Sequence, residues 1–294
     1  MTESQAFVGE FEEHRGRLRA VAYRMLGSVT EADDAVQDAW LRIQRAETGD
    51  VANMAGWLTT VVARVCLNML RSRGTRREEP FDVRMPDPIV GPEDGGDPEH
   101  EALLADSVGL ALLVVLDTLT PAERLAFVLH DMFAVPFEDI APMIERSPTA
   151  ARQLASRARR RVRGAAPAPD PDLAHQRVVV DAFFAAAREG DFDALVAVLD
   201  PEVVLRADGG TAPGRPTVVL RGPRAVAENA VMARKLAPFV VPALINGAAG
   251  VVVPVHGRVF SVMGFTVVSG RIVAIDVLYD PDRLAALDLT ILDS

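Results

Sequence analysis

One predicted helix carries basic and polar side chains along a single face. The stretch from Ser147 to Gly164 contains six arginines and no acidic residue. With successive residues about 100° apart, one side of this helix is apolar. The opposite arc consists of Thr149, Arg152, Gln153, Ser156, Arg159, Arg160 and Arg163. Arg and Gln near the start of a helix can read base edges in the major groove, and arginines at its end can hold phosphates.

This helix forms the second half of a helix-turn-helix pattern. Phe137 to Ile144 is predicted to be a short first helix, Glu145-Arg146 supplies the turn, and the second helix runs from Ser147 to Arg163. Arg157 and Arg161 fall toward the apolar side of the second helix, and we expect them to lie at its margins or to pack. A solvated amphipathic helix has a similar face, but it rarely contains so many arginines without an acid. The pattern therefore favours DNA recognition.

A second candidate surface is acidic. Glu31 to Leu41 forms a predicted helix rich in carboxylates, and an apolar helix that begins at Gly56-Trp57-Leu58 follows it. This later helix becomes basic between Arg71 and Arg77. An acidic helix face is most often a solvated surface. Because this acidic helix is followed by a basic helix, the more specific hypothesis is a protein-binding surface next to a DNA-binding surface.

The charge of the chain is distributed in blocks. The 294 residues have a net charge of -10. Spread evenly along the chain, this charge would argue against nucleic-acid binding. However, residues 53–77 contain five arginines and no acid, and residues 80–106 hold eight acids and one arginine. Two basic segments separated by an acidic connector indicate contact with a polyanion at two places, while the acidity elsewhere limits indiscriminate binding.

Composition restricts the class of protein. Apolar residues make up 49% and charged residues 24%, which is typical of globular domains rather than of disorder. No apolar run approaches the roughly 20 residues that span a bilayer, and the N-terminal residues are acidic where a signal peptide is basic, so we expect a cytoplasmic protein. Cys66 is the single cysteine and is predicted to be a buried structural thiol. No Cys/His pattern for a metal is present, and no cofactor is expected.

Two proline-rich breaks divide the chain. Residues 80–100 are acidic and rich in proline and glycine, and residues 165–173 contain alternating prolines, so both are predicted to be linkers. The predicted folded pieces are 5–79, 101–164 and 174–294. A chain of 294 residues is long enough for more than one domain, which agrees with this division.

The first two pieces are predicted to be all-α and the third α+β. Leu, Val, Ala and Met recur at helical spacing in the first two, with helix starts predicted at Thr30 with Asp33, at the capping box Thr120 to Glu123 and at Ser147-Pro148. In the third piece, predicted helices lie at 173–188, 192–199 and 223–236, and predicted strands at 202–207, 217–221, 240–245, 251–255, 258–268 and 271–279. This order predicts helices that cover one face of a curved, largely antiparallel sheet.

The two helical pieces resemble a known family, the extracytoplasmic-function (ECF) sigma factors of bacterial RNA polymerase. The run EADDAVQDAWLRI is similar to the family's region 2.2, and GWLTTVVARVCLNMLRSRGTRRE to its regions 2.3 and 2.4. The run LDTLTPAERLAFVLHDMFAVPFEDIAPMIERSPTAARQLASRARRRVR is similar to its region 4. The resemblance implies a sigma factor that directs RNA polymerase core to specific promoters and initiates transcription.

The same resemblance implies roles for individual residues. For docking on the coiled coil of the polymerase's largest subunit, it implies Asp33, Asp34, Gln37, Asp38 and Trp40. For engaging and melting the downstream promoter element, it implies Asn53, Trp57, Arg64, Arg71, Arg73, Arg76 and Arg77. For reading the upstream element, it implies the polar arc of the second helix of the helix-turn-helix.

The third piece resembles the SnoaL-like fold, a cone-shaped α+β domain with an open pocket. One group of ECF sigma factors carries such a domain after region 4, with short motifs in the linker and in the appended domain. The corresponding regulatory positions here are Pro86, Pro88, Asp208, Gly209, Gly210, Tyr279, Asp280, Pro281 and Asp282. The resemblance implies that this domain controls activity in cis, and we expect the linker near Pro86 to Pro88 to contact the other two motifs.

Other functions stay open at this point. Arg206, Asp208, His256 and Asp276 are candidates for acid/base catalysis in a SnoaL-like pocket, but the Asp208 and His256 segments are equally typical of turns. We therefore expect a regulatory domain and no enzyme, with a small-molecule ligand in the pocket as an alternative. For the whole chain, the alternative is a stand-alone helix-turn-helix transcription regulator with a metabolite-sensing or enzymatic C-terminal domain.

Overall fold

The chain divides into two compact units. The computed structural model describes residues 3–44, 53–76, 85–92, 109–165, 169–210, 214–287 and 289. The first unit, the helical unit, comprises Met1–Pro80 and Val115–Ala165. The second, the sheet unit, comprises Phe81–Val114 and Ala166–Ser294. In the described ranges, no helix has the length and apolar character needed to cross a membrane.

The helical unit is built from helices alone within its described residues, as predicted. The elements are α1 Glu3–Leu26, α2 Val29–Ile43, α3 Met54–Arg76, α4 Leu110–Asp117, α5 Pro121–Phe127, a π-helix Val128–Met132, α6 Phe137–Ile140, a 3-10 helix Ala141–Met143 and α7 Pro148–Ala165. Helix α4 begins in the sheet unit and ends in the helical unit.

Local sequence explains where two of these helices begin. The predicted capping box at α5 is present, because the Thr120 hydroxyl accepts from the Glu123 N–H and the Glu123 carboxylate accepts from the Thr120 N–H at 3.2 Å. The predicted start of α2 at Thr30 is wrong. Its N-cap is Ser28, whose hydroxyl accepts from the Glu31 N–H and so satisfies a helix-end donor before Thr30 is reached.

The helix-turn-helix lies at the end of the helical unit. Its first helix, predicted over Phe137 to Ile144, is α6 continued by the 3-10 helix. Glu145 makes the turn with a φ of 54°. The hydroxyl of Ser147 then accepts from the Ala150 N–H at 3.2 Å and caps α7, as its cap-then-proline sequence predicts.

Apolar side chains of α1, α2 and α3 form a common core. Val21, Met25 and Leu58 have no solvent exposure, and neither does Cys66 of α3. Burial raises the pKa of the Cys66 thiol to about 12. The thiol is therefore protonated at neutral pH and chemically inert while it stays buried, as expected of a structural cysteine.

The sheet unit has the predicted α+β architecture. Its elements are β1 Val90–Gly91, α8 Leu173–Glu189, α9 Phe192–Val198, β2 Leu199–Asp208, β3 Val218–Arg221, α10 Pro223–Met232, a 3-10 helix Arg234–Phe239, β4 Val241–Ile245, β5 Ala248–Val255, β6 Arg258–Val268, β7 Arg271–Leu278 and α11 Pro281–Ala285. The strands form one sheet in the order β1-β4-β5-β6-β7-β2-β3. Only the β2–β7 pair is parallel among these described strands.

The helices cover one face of this sheet. Phe183 and Phe184 of α8 meet Phe265 of β6 edge-on, with ring centroids 5.8 and 5.7 Å apart. The helix predicted over 223–236 is shorter than expected. Its second part is a 3-10 helix that contains Pro238, which has no N–H to donate to an α-helical carbonyl.

The first predicted linker is partly built into the sheet unit. Its strand β1 pairs antiparallel with β4, with Val90 opposite Ile245. The Ile89 N–H donates to the side-chain oxygen of Asn246 at 3.1 Å, and the Asn246 N–H donates back to the Ile89 carbonyl at 2.8 Å. Because Phe81–Val114 clusters with the sheet unit, the structural division does not fall at the predicted linker end near residue 100.

The second predicted linker is anchored as well. The Asp170 carboxylate accepts from the backbone N–H groups of Ser269 and Gly270 at 2.9 and 3.1 Å, at the turn between β6 and β7. These hydrogen bonds hold the pKa of Asp170 below its usual range. The proline-rich segment therefore ends in a fixed attachment to the sheet immediately before α8.

Candidate nucleic-acid interface and linker clasp

Helix α7 presents most of the predicted DNA-reading arc to solvent. Its buried side consists of Ala151, Ala155 and Ala158, which are fully buried. On the polar arc, the exposed residues are Thr149, Arg152, Gln153, Arg160 and Arg163, and the half-buried ones are Ser156 and Arg159. The periodicity of the sequence thus predicts which side of α7 packs and which side stays accessible.

Two arginines of this arc are held by neighbouring side chains. The Arg152 guanidinium lies over the Phe137 ring, 5.2 Å from its centroid, which orients it at the N-terminal part of α7. Arg159 is different, because its Nε lies 2.6 Å from an Asp131 carboxylate oxygen. This ion pair competes with any phosphate for Arg159.

The two arginines placed outside the arc pack at its margin, as predicted. Arg161 lies 3.3 Å and Arg157 3.7 Å from the carboxylate oxygens of Glu123. Glu123 also caps α5, so α7 is tied to the start of α5 by the same carboxylate. These contacts therefore join the C-terminal half of α7 to the start of α5.

The polar side chains on the acidic face of helix α2 differ in their contacts with the rest of the protein. Asp34, Gln37 and Asp38 are exposed. Asp33 forms a bidentate pair with Arg19 at 2.6 and 3.0 Å. Trp40 is half-buried and stacks on Phe11, with ring centroids 4.7 Å apart. Asp38 pairs with Arg42, one turn further along α2, at 3.3 Å. Within the predicted polymerase-docking set, Asp34, Gln37 and Asp38 thus form an exposed edge in which Asp38 has a neighbouring cation.

Helix α3 brings together some of the predicted downstream-element residues. Asn53 caps the helix, since its side-chain oxygen accepts from the Gly56 N–H at 2.9 Å, and Trp57 in the first turn is half-buried. Arg64 and Arg71 are exposed. Arg73 instead forms an ion pair with Glu31 and donates to the Leu26 carbonyl at 3.0 Å, so it joins α3 to α2. The side chain of Arg76 and the whole of Arg77 lie outside the described residues.

The linker bonds to Asp208 as expected, whereas the contact beside the Tyr279 to Asp282 motif is made by the next residue, Arg283 of α11. Its Nε donates to an Asp87 carboxylate oxygen at 2.8 Å, and its Nη1 donates to Asp208 at 2.7 Å. Its Nη2 reaches the Met85 carbonyl at 2.5 Å. The Met85 N–H donates to the same Asp208 carboxylate at 2.8 Å. We call Met85, Asp87, Asp208 and Arg283 the linker clasp.

The predicted regulatory residues surround this clasp. Pro86 and Pro88 are buried on either side of Asp87. Gly210 has a φ of 65°, and a Cβ there would collide with the Asp280 carboxylate, so the sharp turn after β2 requires glycine. Gly209 is equally crowded by the Arg215 backbone.

The same segments provide the remaining contacts. The Tyr279 N–H donates to the Asp208 carbonyl at 2.9 Å. Asp280 caps α11 by accepting from the N–H of Asp282, which follows Pro281 at the start of the helix. These bonds position α11 so that Arg283 reaches the linker.

The candidate acid/base residues do not assemble into one catalytic group. Arg206 pairs with Asp276 at 2.8 Å across β2 and β7, and burial raises the pKa of Asp276 while the Arg206 charge opposes the shift. His256 is exposed in the turn between β5 and β6, with a φ of 52°. Asp208 is engaged in the linker clasp. The described residues therefore bring no Asp/His pair into one pocket.

Comparison with known proteins agrees with the helical geometry. The Sigma-70 region 2 family model matches residues 11–76, and the Sigma-70, region 4 model matches residues 109–162. A probable ECF RNA polymerase sigma factor, SigI of Mycobacterium tuberculosis, is 35% identical over 98% of both chains. This chain belongs to the ECF RNA polymerase sigma factors. It directs RNA polymerase core to specific promoters, and the stand-alone regulator is not favoured.

The sigma factor also matches a solved structure over nearly its whole length. The ECF sigma factor SigJ of Mycobacterium tuberculosis is 46% identical over 70% of this chain and 66% of that one. The crystal structure of SigJ has a TM-score of 0.77 at 36% identity and covers 96% of this chain and 99% of its own. The two all-α regions and the α+β domain are thus common to both proteins.

Three residues of this sigma factor's linker contact are not among the predicted regulatory positions, namely Asp87, Asn246 and Arg283. A signal existed, because Asp87 sits between two prolines and Arg283 follows the Tyr279 to Asp282 motif. Opposite charges in two segments that are expected to touch identify an ion pair. Asn246 carried no such signal, because its role depends on the register of β4.

The clasp predicts how the linker responds to loss of Arg283. In Arg283→Ala, the carboxylates of Asp87 and Asp208 are left without their cation, and we expect the backbone amides of Met85 and Ile89 to exchange hydrogen at least tenfold faster. Hydrogen exchange followed by mass spectrometry measures this. The control is Arg224→Ala, which removes an exposed arginine whose partner is Glu228 on the same helix. Unchanged exchange in Arg283→Ala contradicts the role given to the clasp.

Proposed function

We propose that the sheet unit restrains this sigma factor in cis by holding the linker between regions 2 and 4. The linker clasp supports the proposal, because a guanidinium of the sheet unit binds a carboxylate and a carbonyl of the linker. The linker is the only covalent connection between the two regions along the chain. Fixing part of it shortens the remaining tether and limits how far the two regions can separate.

The clasp suits a switch because it is made of paired, largely buried charges. The side chains of Arg283, Asp87 and Asp208 are 15%, 10% and 6% exposed. Removing one partner of a buried ion pair costs about 3–5 kcal/mol, because the remaining charges are uncompensated. The three side chains therefore engage or release together, and intermediate arrangements are disfavoured.

Loss of the clasp should increase transcription. With limiting RNA polymerase core and a cognate promoter in vitro, we expect Arg283→Ala to produce at least threefold more promoter-specific transcript than the wild type, because the freed linker no longer tethers the regions. Arg224→Ala should match the wild type. Equal or reduced output from Arg283→Ala would show that the clasp does not restrain the protein. Point variants are preferable to truncation after Gly164, because truncation exposes the apolar side chains of the linker.

We further propose that the polar arc of α7 reads the upstream promoter element. The exposure of Arg152 and Gln153 and the seat of Arg152 on Phe137 support direct base contacts near the helix start. Arg160 and Arg163, exposed further along the helix, suit phosphates. For the downstream element, Arg64 and Arg71 are the described arginines of α3 that suit single-stranded DNA, and Arg73 takes a positioning role instead.

This division of roles predicts different effects for two kinds of substitution. Arg152→Ala and Gln153→Ala should each weaken binding to a cognate upstream element by about 1–3 kcal/mol and leave binding to scrambled DNA nearly unchanged. Arg160→Ala should weaken binding to cognate and to scrambled DNA alike. It should also reduce the slope of log affinity against log salt concentration by about one. Fluorescence anisotropy over a salt series measures both effects. Equal losses on cognate and scrambled DNA for Gln153→Ala would refute base reading.

We also propose that the exposed edge of α2 docks on the coiled coil of the polymerase's largest subunit. Asp34, Gln37 and Asp38 lie one helical turn or less apart on the exposed side of the helix. Trp40 supports this edge from below, because it packs on Phe11 of α1. An acidic helix edge on a rigid three-helix core is an electrostatically complementary surface for a basic partner.

A charge reversal on α2 should abolish core binding. We expect Asp38→Arg to weaken affinity for RNA polymerase core at least tenfold, because attraction is replaced by repulsion at a contact point. Asp181→Arg, on the exposed side of α8, is the matched reversal and should bind normally. Both affinities can be measured with fluorescently labelled core. Normal binding by Asp38→Arg would exclude this edge from the interface.

We infer that the sheet unit regulates rather than catalyses, and that the sigma factor acts in the cytoplasm with the polymerase. What supports this is the use of Asp208 in the clasp and of Asp276 in an ion pair with Arg206. A small-molecule ligand for this domain stays a prediction. Among the described residues, such a ligand could occupy a half-open cavity of about 700 Å³ whose lining includes Arg215, Arg258, Phe260 and Leu284.

A further inference from the structure

Regions 2 and 4 pack directly against each other inside the helical unit. Helix α3 of region 2 contacts α1 and α2 and also α5 of region 4. Its fully buried residues include Leu58, Val62, Cys66 and Leu67, which at 100° per residue extend over about half of the helix circumference. A helix on the outside of a three-helix core buries a narrower stripe. The width of this buried surface agrees with the packing of α3 on α5 as well as on α1 and α2.

Arg124 of α5 lies at the centre of this contact. It is 2% exposed, its Nε donates to the Arg24 carbonyl of α1 at 3.1 Å, and its Nη1 donates to Asp117 at 3.0 Å. Helix α5, which carries Arg124, also packs against α3. One side chain of region 4 thus bonds to α1 of region 2 beside the contact between α5 and α3.

A second contact lies beside the first. The Phe133 ring, which follows the π-helix, receives the guanidinium of Arg24 at 4.7 Å and that of Arg17 at 5.8 Å from its centroid. Arg17 also donates to the Phe133 carbonyl at 3.2 Å. Both contacts join α1 to region 4 through guanidinium groups, and polar contacts of this kind are common at interfaces between domains.

The size of the helical unit limits what it can span in this closed form. A compact unit of about 130 residues has a radius of gyration of about 14 Å, hence a diameter of about 36 Å. That length corresponds to about ten base pairs at 3.4 Å each. Two promoter elements that lie further apart than about one turn of DNA cannot be contacted by both regions unless the regions separate.

We propose that Arg124 is a latch that holds regions 2 and 4 together in an inactive, closed form of the free sigma factor. The latch opens when α5 withdraws from α1 and α3, which removes Arg124 from the Arg24 carbonyl and uncovers Cys66. Asp117 remains beside Arg124 on the region 4 side, so the guanidinium keeps one charged partner when it leaves. This device is independent of the linker clasp, because none of its residues belongs to the sheet unit.

The thiol of Cys66 provides a built-in reporter of the latch, because the chain has a single cysteine. In the full-length protein we expect Arg124→Met, which removes the charge and keeps much of the volume, to raise the rate of N-ethylmaleimide labelling of Cys66 at least tenfold. Phe133→Ala weakens the neighbouring contact without burying an unpaired group and should give a smaller increase. The control Arg161→Met removes an arginine that pairs with Glu123 within region 4 and should label like the wild type.

Circular dichroism identifies variants that retain the helical content of the wild type, and Phe133→Ala carries the test if Arg124→Met does not fold. In wild-type protein assembled with RNA polymerase core, Cys66 should become reactive. The folded latch variants should bind core at least threefold more tightly than the wild type, because opening no longer opposes assembly. A Cys66 that stays protected in the folded latch variants or in the holoenzyme overturns the proposal, as does a faster-labelling variant with unchanged core affinity.

Discussion

A guanidinium can be buried only if fixed oxygen atoms replace the water around it, and this requirement shapes both units of the sigma factor. In the sheet unit, Arg283 gathers Asp87, Asp208 and the Met85 carbonyl from segments far apart in sequence. In the helical unit, Arg124 gathers Asp117 and the Arg24 carbonyl. Apolar cores tolerate many partners of similar volume, but a buried guanidinium accepts only one arrangement of acceptors. Several of the specific long-range contacts of this fold are therefore made by arginines.

Helix α4 contributes residues to both units. Its first residue, Leu110, packs near Gly264 of β6, where an added Cβ would lie 3.1 Å from the leucine side chain. Its last residue, Asp117, is the carboxylate partner of Arg124. Eight residues of one helix thus serve a contact in each unit. A chain divided cleanly at the proline-rich segments would need a separate element for each task.

Much of this organisation could be predicted from sequence, and the reasons for success and failure are physical. The α7 face was predictable because a 3.6-residue period leaves Ala151, Ala155 and Ala158 on the packed side. The start of α2 was missed because Ser28 and Thr30 are both competent caps, and tertiary packing decides between them. The roles of Arg73 and Arg159 were not predictable, because each depends on an acid brought close only by folding. The same holds for Asn246, whose partner is set by strand register.

Control within one chain has a different energetic requirement from control by a separate inhibitor. A separate protein must overcome the loss of translational freedom on binding, whereas a tethered domain meets its target at an effective concentration set by the tether. Under the proposed control in cis, the clasp and the closed interface can therefore each be weak and still keep most molecules restrained. Weak restraints are also readily displaced, because polymerase core or promoter DNA has only to compete with a few charged contacts. Paired charges suit this task better than an apolar interface, since each released group regains its hydration when the contact opens.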